Sequence, residues 1–250
     1  MSIYSKLSAL LSAANTKTGE SDTTLTDAVQ TLIDGYGQGG GCVDVDAICD
    51  RSITGSVTVG FTNYYNERTF MGCTGITEFH APNWVGGTGT NLLSGCTGLT
   101  VFDAPNYAEV WSNLSGCTSL QYVVLKGMTR AAAGGVFRPL AALKGVDFAL
   151  VNNPGNIFDK GYMFENDSNL ETIIIRKANG VAALSNINNF NGTRYASGGA
   201  GGTLYVPSAL VETYKAATNW STILGYTNNQ IKAIEGSTYE THYVDGTVIS

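Results

Sequence analysis

Short alternations of apolar and polar residues recur along the chain from about residue 70 onward, each after a compact bend. They are found in LTVFDAP (99–105), LQYVVLK (120–126) and LETIIIR (170–176). Alternation with a period of two is typical of a β-strand with one buried face, so the chain is predicted to be mainly β. The residues predicted to point inward are Leu99, Phe102, Ala104, Leu120, Val123, Leu125, Leu170, Ile173 and Ile175.

One ten-residue phrase that contains these strands is repeated. LSGCTGLTVF (93–102) returns as LSGCTSLQYV (114–123), with related versions at 70–79, 137–146 and 164–173. The fourth residues of the five copies are 23, 21, 23 and 27 positions apart, and they are Cys73, Cys96, Cys117, Leu140 and Asp167. A Leu-rich period in the twenties predicts a leucine-rich repeat solenoid, because one unit cannot bury its apolar face without neighbours.

The repeat resembles the BspA-type leucine-rich repeat family, whose units follow the pattern F-x-x-C-x-x-L-x-x-V-x-L-P. The matching residues of two copies are Cys96, Leu99, Phe102, Pro105, Cys117, Leu120, Val123 and Leu125. GTLYVPSALVETYKAATNWSTI (202–223) is similar to the closing segment of that family, which implies a last strand and a C-terminal capping helix. The units at 137–148 and 164–175 lack the cysteine and 176–202 is Gly- and Asn-rich, so distorted coils or long loops are expected there.

The segments beside the repeats complete the predicted solenoid domain, which extends over 51–234. Within RSITGSVTVGFTNYYNERTF (51–70), the stretch ITGSVTV is predicted to be an edge strand that covers the open N-terminal end of the stack. Residues 235–250 form a C-terminal tail.

Residues 1–36 show a helical periodicity instead. Apolar residues recur every three or four positions in two stretches, which predicts two short helices in a hairpin. The stripes contain Ile3, Leu7, Leu10, Leu11, Val29, Leu32, Ile33 and Tyr36. A Gly-rich linker is predicted at 37–50. Because so short a segment seldom holds a core alone, we expect its stripes to be buried by copies of itself or by another protein.

Residues 1–41, which include this hairpin, resemble N-terminal segments of tail and virion proteins from phages and prophages of gut Firmicutes, of the form L…LL.AAN.KTG.SDT.L..AV..LI.GYG.GG. The matching positions are 10–19, 21–25, 28, 29, 32–36 and 39–40. The resemblance implies a virion location, with the hairpin as the anchor to other virion proteins. Homo-oligomers are usually symmetric and closed, and phage fibres are often trimeric, so a homotrimer is favoured over a dimer.

Composition and charge narrow the range of partners. The chain has 43% hydrophobic and 14% charged residues, a net charge of −6 and no cluster of Lys and Arg. Nucleic-acid binding, which needs a basic patch, is therefore not expected. No run of 18 apolar residues and no signal-peptide pattern is found, so neither membrane insertion nor an export signal is expected.

Residues with catalytic potential are few. His80 and His242 are the two histidines, and they lie far apart in the sequence. No G-x-S-x-G, H-E-x-x-H or P-loop phrase is present. We therefore expect a protein without enzymatic activity and without a cofactor.

The cysteines and the polar loops give no complete metal site. Three cysteines occupy one repeat position, which favours a buried structural ladder over zinc binding by paired ligands, and they are Cys73, Cys96 and Cys117. Neither NINNFNG (186–192) nor DVD (44–46) completes a calcium loop. No metal is therefore expected. Cys42 and Cys49 either form a disulfide or stay reduced.

The outward side of the strands is the candidate binding face. It is predicted to be flat, with few charges and some aromatic area, and solenoids usually bind partners along such faces. The alternative is a plain solvated sheet. Tyr122 and Tyr205 are the expected anchors, because aromatic residues dominate binding hot spots. The full predicted set is Glu78, His80, Val101, Asp103, Tyr122, Val124, Asp147, Ile174 and Tyr205.

These features predict one favoured function and two alternatives. The favoured function is a non-enzymatic phage virion protein of the tail fibre or tail tip, which binds a bacterial surface protein or glycan through its repeats. The first alternative is a BspA-like adhesin, located at the bacterial cell surface or secreted. The second is a glycan depolymerase on a β scaffold, although the paired carboxylates that such cleavage needs are not evident.

Overall fold

The computed structural model describes most of the chain beyond residue 50. The described residues are 51–60, 62, 69–85, 91–107, 109–110, 113–127, 130–131, 135–148, 158, 161–176, 180–184, 186–196, 201–223 and 230–249. The predicted helical hairpin (1–36), the linker (37–50), Cys42 and Cys49 lie outside this part of the chain.

The described structure is mainly β, as the sequence predicted, and its strands pair in parallel. The strands are β1 (Thr54–Thr58), β2 (Gly75–His80), β3 (Val101–Asp103), β4 (Glu109–Val110), β5 (Tyr122–Leu125), β6 (Arg130–Ala131), β7 (Gly145–Phe148), β8 (Thr172–Ile175), β9 (Thr203–Val206) and β10 (Ile231–Ala233). One sheet has the order β1-β2-β3 and a second has the order β5-β7-β8-β9-β10. The short strands β4 and β6 pair with each other. Neighbouring strands come from successive units, so the chain winds as a parallel solenoid of about six turns.

Helices are short and lie near the C-terminal end of the described chain. Two α-helices, α1 (Val211–Ala216) and α2 (Trp220–Ile223), connect β9 to β10. Single 3₁₀ turns occur at Ile187–Phe190, Ser208–Leu210 and Thr238–Glu240. Within the described residues no helix has the length and apolar character needed to cross a membrane.

Each turn of the solenoid, here called a coil, has a bend, and five of the six coils that the structure describes close it with the same backbone hydrogen bond. The amide at the cysteine position donates to the carbonyl three residues earlier, at 3.0 Å from Cys96 to Leu93. Thr193 repeats this bond to Phe190 at 3.1 Å, so the Gly- and Asn-rich region contains a sixth coil that the repeat phrase did not predict. In the fourth coil, the equivalent Leu140 amide donates to Asp167 Oδ1 instead. From the first coil to the sixth, the residues at this position, here called the bend ladder, are Cys73, Cys96, Cys117, Leu140, Asp167 and Thr193.

The core is built from side chains that stack from coil to coil. Phe137, Phe164 and Phe190 occupy one repeat position, and their rings stack at 5.3 and 5.5 Å between centroids. The residues predicted to point inward in and beside β3, β5 and β8 are all buried, which confirms the strand phase. The predicted N-terminal edge strand is confirmed as β1, which pairs with β2 and lies at the edge of its sheet.

The cysteine thiols of the bend ladder are buried and form no disulfides. Cys73, Cys96 and Cys117 are 0% exposed. Cys96 Sγ donates to the Phe70 carbonyl at 3.0 Å, and Cys117 Sγ donates to the Leu93 carbonyl at 3.2 Å. Burial raises the pKa of Cys96 to about 12 and that of Cys117 further still, so both groups stay as thiols at neutral pH.

These thiols should be unreactive in the native protein. In a Cys42→Ser/Cys49→Ser background, we expect an aromatic disulfide reagent at pH 8 to label none of the three ladder thiols until the protein is denatured. The physical reason is that the thiolate is the nucleophile, and burial disfavours both its formation and its contact with the reagent. The measurement is thiol titration before and after denaturation, and rapid native labelling of any ladder cysteine would contradict the buried arrangement.

Candidate binding face of the solenoid

The predicted face residues lie in two rows on the outward side of the parallel strands. Strand pairing places Glu78 beside Val101 and His80 beside Asp103 in the first sheet. In the second sheet, Tyr122 lies beside Gly145, and the other row runs through Val124, Asp147, Ile174 and Tyr205. The register is fixed because a slip of one residue would turn every buried side chain outward. The rows therefore bring the candidate residues together within each sheet.

The first sheet presents an accessible cluster of two carboxylates and an imidazole. His80 Nδ1 lies 3.3 Å from Asp103 Oδ2, and His80 Nε2 lies 3.3 Å from Glu78 Oε2. Their side chains are 31% exposed in His80, 45% in Glu78 and 48% in Asp103. A hydrogen bond from Ser56, followed by one from His80, lowers the pKa of Glu78, so this carboxylate is ionised at neutral pH.

This cluster offers hydrogen-bond acceptors beside an apolar side chain. Val101, the strand neighbour of Glu78, is 39% exposed. Carboxylate oxygens accept hydrogen bonds from hydroxyl, amide and ammonium groups, and the imidazole can donate or accept. Among the described residues, no group of three or more His, Cys, Asp or Glu side chains is placed to hold a metal ion.

The second sheet is covered on the same side by the C-terminal tail. Residues 234–249 turn back over the strands, and a bridge between His242 and Val248 closes the tail into a small hairpin. Tyr239 packs edge-on against Tyr205, with ring centroids 4.8 Å apart. The buried and half-buried residues of this contact are Ile174, Ile234, Val244, Tyr122, Val124, Tyr205 and Tyr239.

A buried ion pair ties the tail to the strands. Arg176 donates to both carboxylate oxygens of Asp147, at 2.7 Å from Nη2 and 3.0 Å from Nε. The same guanidinium donates to the tail carbonyls of Tyr239 and His242, at 2.5 and 2.8 Å. Asp147 also accepts the Val244 amide at 3.2 Å. Because the pair is hydrogen-bonded on both sides, removing Arg176 would leave a buried carboxylate and cost about 3–5 kcal/mol.

The lack of a side chain at Gly145 leaves the space into which the tail docks. A Cβ atom on Gly145 would lie 2.3 Å from Val244 Cγ2, so the tail side chain occupies the space where a side chain on β7 would stand. The equivalent residues on neighbouring strands, Tyr122 and Thr172, do carry side chains. The missing side chain therefore admits the tail at this one coil.

The tail corrects the predicted extent of the accessible face. Asp147 and Ile174 were predicted to lie on an open surface, but both are 0% exposed because residues 234–249 cover them. Sequence reasoning assigned no functional role to Arg176, Gly145 or Val244. The glycine in a row of larger side chains was a usable signal for close approach, whereas nothing in the tail sequence identified its docking site.

Burial changes the acidity of the covered carboxyl. Desolvation raises the pKa of Asp147 above its ordinary value, although hydrogen bonds from Arg176 and Val244 act in the opposite direction. Glu78 and Asp103, in contrast, remain open to solvent. The outward side of the solenoid is therefore divided into an open half on β2 and β3 and a covered half on β5 and β7–β9.

Comparison with known proteins adds no family assignment. No protein-family model matches the chain, and no curated protein is significantly similar to it in sequence. The resemblances of the repeat phrase and of the N-terminal segment therefore stay predictions.

Docking of the tail can be tested at the contact between Gly145 and Val244. Gly145→Ala should weaken tail docking by about 1–3 kcal/mol, because the new methyl group overlaps the valine side chain. Hydrogen–deuterium exchange of the Val244 amide should then become about fivefold to 160-fold faster, since about 1.4 kcal/mol is a factor of ten.

The control variants separate this overlap from general damage. Val244→Ala in the Gly145→Ala background should restore most of the protection, because it removes the overlapping atom. Val248→Ala, at a side chain that is 67% exposed on the same hairpin, should leave exchange unchanged. Equal exchange in Gly145→Ala and the parent protein would show that the tail does not rest on β7.

Proposed function

We propose that the protein is a non-enzymatic phage virion protein of the tail fibre or tail tip, which binds the bacterial surface through its solenoid. The observation that supports binding through the solenoid is the division of the strand face into a covered half and an open half. One half is covered by the chain itself, and the other half presents Glu78, His80 and Asp103 to solvent. The resemblance of residues 1–41 to phage tail proteins supports the virion location.

The proposal also includes the type of repeat and the nature of the C-terminal cap. We assign the coils to the BspA-type leucine-rich repeat, with α1 and α2 as the C-terminal cap. In support, Tyr214 and Trp220 on these helices are buried, and the Tyr214 hydroxyl accepts the Ala182 amide at 2.9 Å. Trp220 Nε1 donates to the Ala182 carbonyl at 2.6 Å, which ties the helices to the last coils.

The contact surface for the receptor is assigned to the open half of the strand face. Solenoids use extended faces of this kind for binding. Two carboxylates that each contact the same imidazole, beside the apolar Val101, suit a ligand that carries several donors together with some apolar surface, as bacterial glycans and surface proteins do. The proposed receptor is therefore a glycan or protein of the bacterial surface.

A BspA-like bacterial adhesin is the alternative that the repeat resemblance favours. The same open face would serve that function, but the protein would be found on bacteria instead of on virus particles. Electron microscopy of intact particles with a labelled antibody distinguishes the two locations. Labelled tail tips or fibres support the virion protein, and label confined to the bacterial surface supports the adhesin.

Changes on the open face should weaken attachment without unfolding the protein. In Glu78→Gln/His80→Ala/Asp103→Asn, we expect attachment to host cells to fall about tenfold or more, because a few central residues carry most of the binding energy of an interface. Stability should change by only about 0.5 kcal/mol per site, as is usual for surface positions. Glu212→Gln, at a side chain that is 84% exposed on α1, is the matched control.

Two outcomes would redirect this assignment. Unchanged attachment of the triple variant would remove the open half from the contact surface. Tyr205→Ala is informative in addition, because Tyr205 packs against Tyr239 of the tail. Loss of attachment in Tyr205→Ala together with faster exchange of the tail would point to the tail hairpin as the contact element.

The N-terminal segment can be tested by deletion. Removing residues 1–41 should leave a folded, soluble and monomeric repeat domain that no longer joins the virus particle, because the apolar helical stripes are the proposed oligomer and anchor contacts. Light scattering of the full-length and truncated proteins checks the oligomeric state. If both proteins are monomers, the proposed trimer is wrong and anchoring to another virion protein is the remaining role.

A further inference from the structure

Asp167 occupies the place of a cysteine in the bend ladder. The two cysteines before it donate their S–H groups backward along the stack, Cys96 to the carbonyl of Phe70 and Cys117 to that of Leu93. In both cases the acceptor lies three residues before the ladder residue of the preceding coil. Applied to the fifth coil, the same rule assigns the carbonyl of Phe137 as the acceptor for the Asp167 side chain.

One carboxyl oxygen of Asp167 is paired and the other is not. The side chain is 0% exposed, and Oδ1 accepts the Leu140 amide at 2.7 Å. Oδ2 is buried and has no hydrogen-bond partner among the residues that the structure describes. The neighbouring ladder residue does not supply one, because the Thr193 hydroxyl donates to the Phe190 carbonyl at 2.7 Å. A carboxylate here would leave a charge in the core without a counterion.

The charged side chains of the surrounding coils are turned toward solvent. Arg138 pairs with Glu165, and these side chains are 42% and 23% exposed. Arg194 and Glu171 lie 3.7 Å apart and are 37% and 48% exposed. None of these groups contributes to the acidity of Asp167: burial raises its pKa to about 8, and only the Leu140 amide acts against this rise.

We propose that Asp167 is folded as a neutral carboxylic acid whose O–H group donates to the Phe137 carbonyl, in the role of the cysteine S–H groups. A titratable proton then holds the fourth and fifth coils together. The cysteine and aspartic acid positions of the ladder are thus chemically equivalent below neutral pH, because each provides one donor to the preceding coil. They differ at alkaline pH, where the carboxyl loses its donor and gains a charge.

The direction of the pH effect follows from linkage. The pKa of an unfolded aspartic acid is about 4, whereas burial raises the pKa of Asp167 in the folded protein to about 8. Between these values the folded state binds the extra proton, so stability is complete at low pH and is lost as the pH rises through about 8. One linked proton changes the unfolding equilibrium by about tenfold per pH unit in this range. Loss of this proton at rising pH is therefore expected to weaken the contact between the fourth and fifth coils.

The experiment measures unfolding by urea between pH 5 and pH 9 in four full-length proteins. Asp167→Asn keeps the acceptor for the Leu140 amide and replaces the O–H donor by an N–H donor that does not titrate. Asp167→Cys restores the ladder residue. Glu212→Gln is the control for removal of an exposed carboxylate. Because the pKa of Asp147 is also raised, only the difference between each variant and the parent protein is assigned to Asp167.

We expect the unfolding constant of the parent protein and of Glu212→Gln to rise with pH more steeply than that of either Asp167 variant, by up to about tenfold per pH unit between pH 5 and pH 8. Equal slopes in the parent and in Asp167→Asn would overturn the proposal. Infrared difference spectra provide an independent readout on the folded protein. A band of a protonated carboxylic acid at pH 6 that is lost above pH 9 and is missing in Asp167→Asn supports the proposal.

The proposal remains testable if one variant fails to fold. Asp167→Cys and the infrared spectra of the parent protein then provide the decision, since neither depends on Asp167→Asn. The lack of any protonated carboxyl band at pH 6 in the parent protein would show that Asp167 is ionised and that the proposed donor does not exist.

Discussion

The structure depends on the stacking of one coil on the next. A single coil has a three- to six-residue strand and one bend, which is too little to enclose an apolar core. Its inward side chains become buried only when the equivalent side chains of the neighbouring coils lie against them. The repeated bend makes this possible, because it places Phe137, Phe164 and Phe190 in register and allows their rings to stack.

The same constraint governs which polar groups the core accepts. A buried polar atom is tolerated where it bonds to a backbone group of the adjacent coil. Asn113 and Asn189 do this at one repeat position, with Oδ1 accepting the amides of Leu92 at 3.1 Å and Met163 at 3.0 Å. Asp167 departs from this rule through its second oxygen. Because this oxygen has no donor among the described residues, the protonation state of Asp167 decides whether the core holds an unpaired charge.

The outward side of the strands is under a different constraint. It need not be buried for the stack to form, so it is free to bind the tail of the same chain on one half and to remain open on the other. The tail is held by the Asp147–Arg176 pair and by the contact of Val244 with Gly145. A partner that binds the strand face would therefore contact β2 and β3, where Glu78, His80 and Asp103 remain accessible.

The stacking of the coils and the inward side of their strands were predictable from the sequence. Period-two alternation and the recurring bend phrase are local signals, so they place Leu99, Val123 and Ile173 correctly in the core. The coil at Thr193 was not predicted, because it has no cysteine and no Leu-rich phrase. Which half of the strand face is open became evident only from the folded chain. The Val244 amide bonds to Asp147 across 97 positions of sequence, and a contact between such distant segments leaves no local pattern.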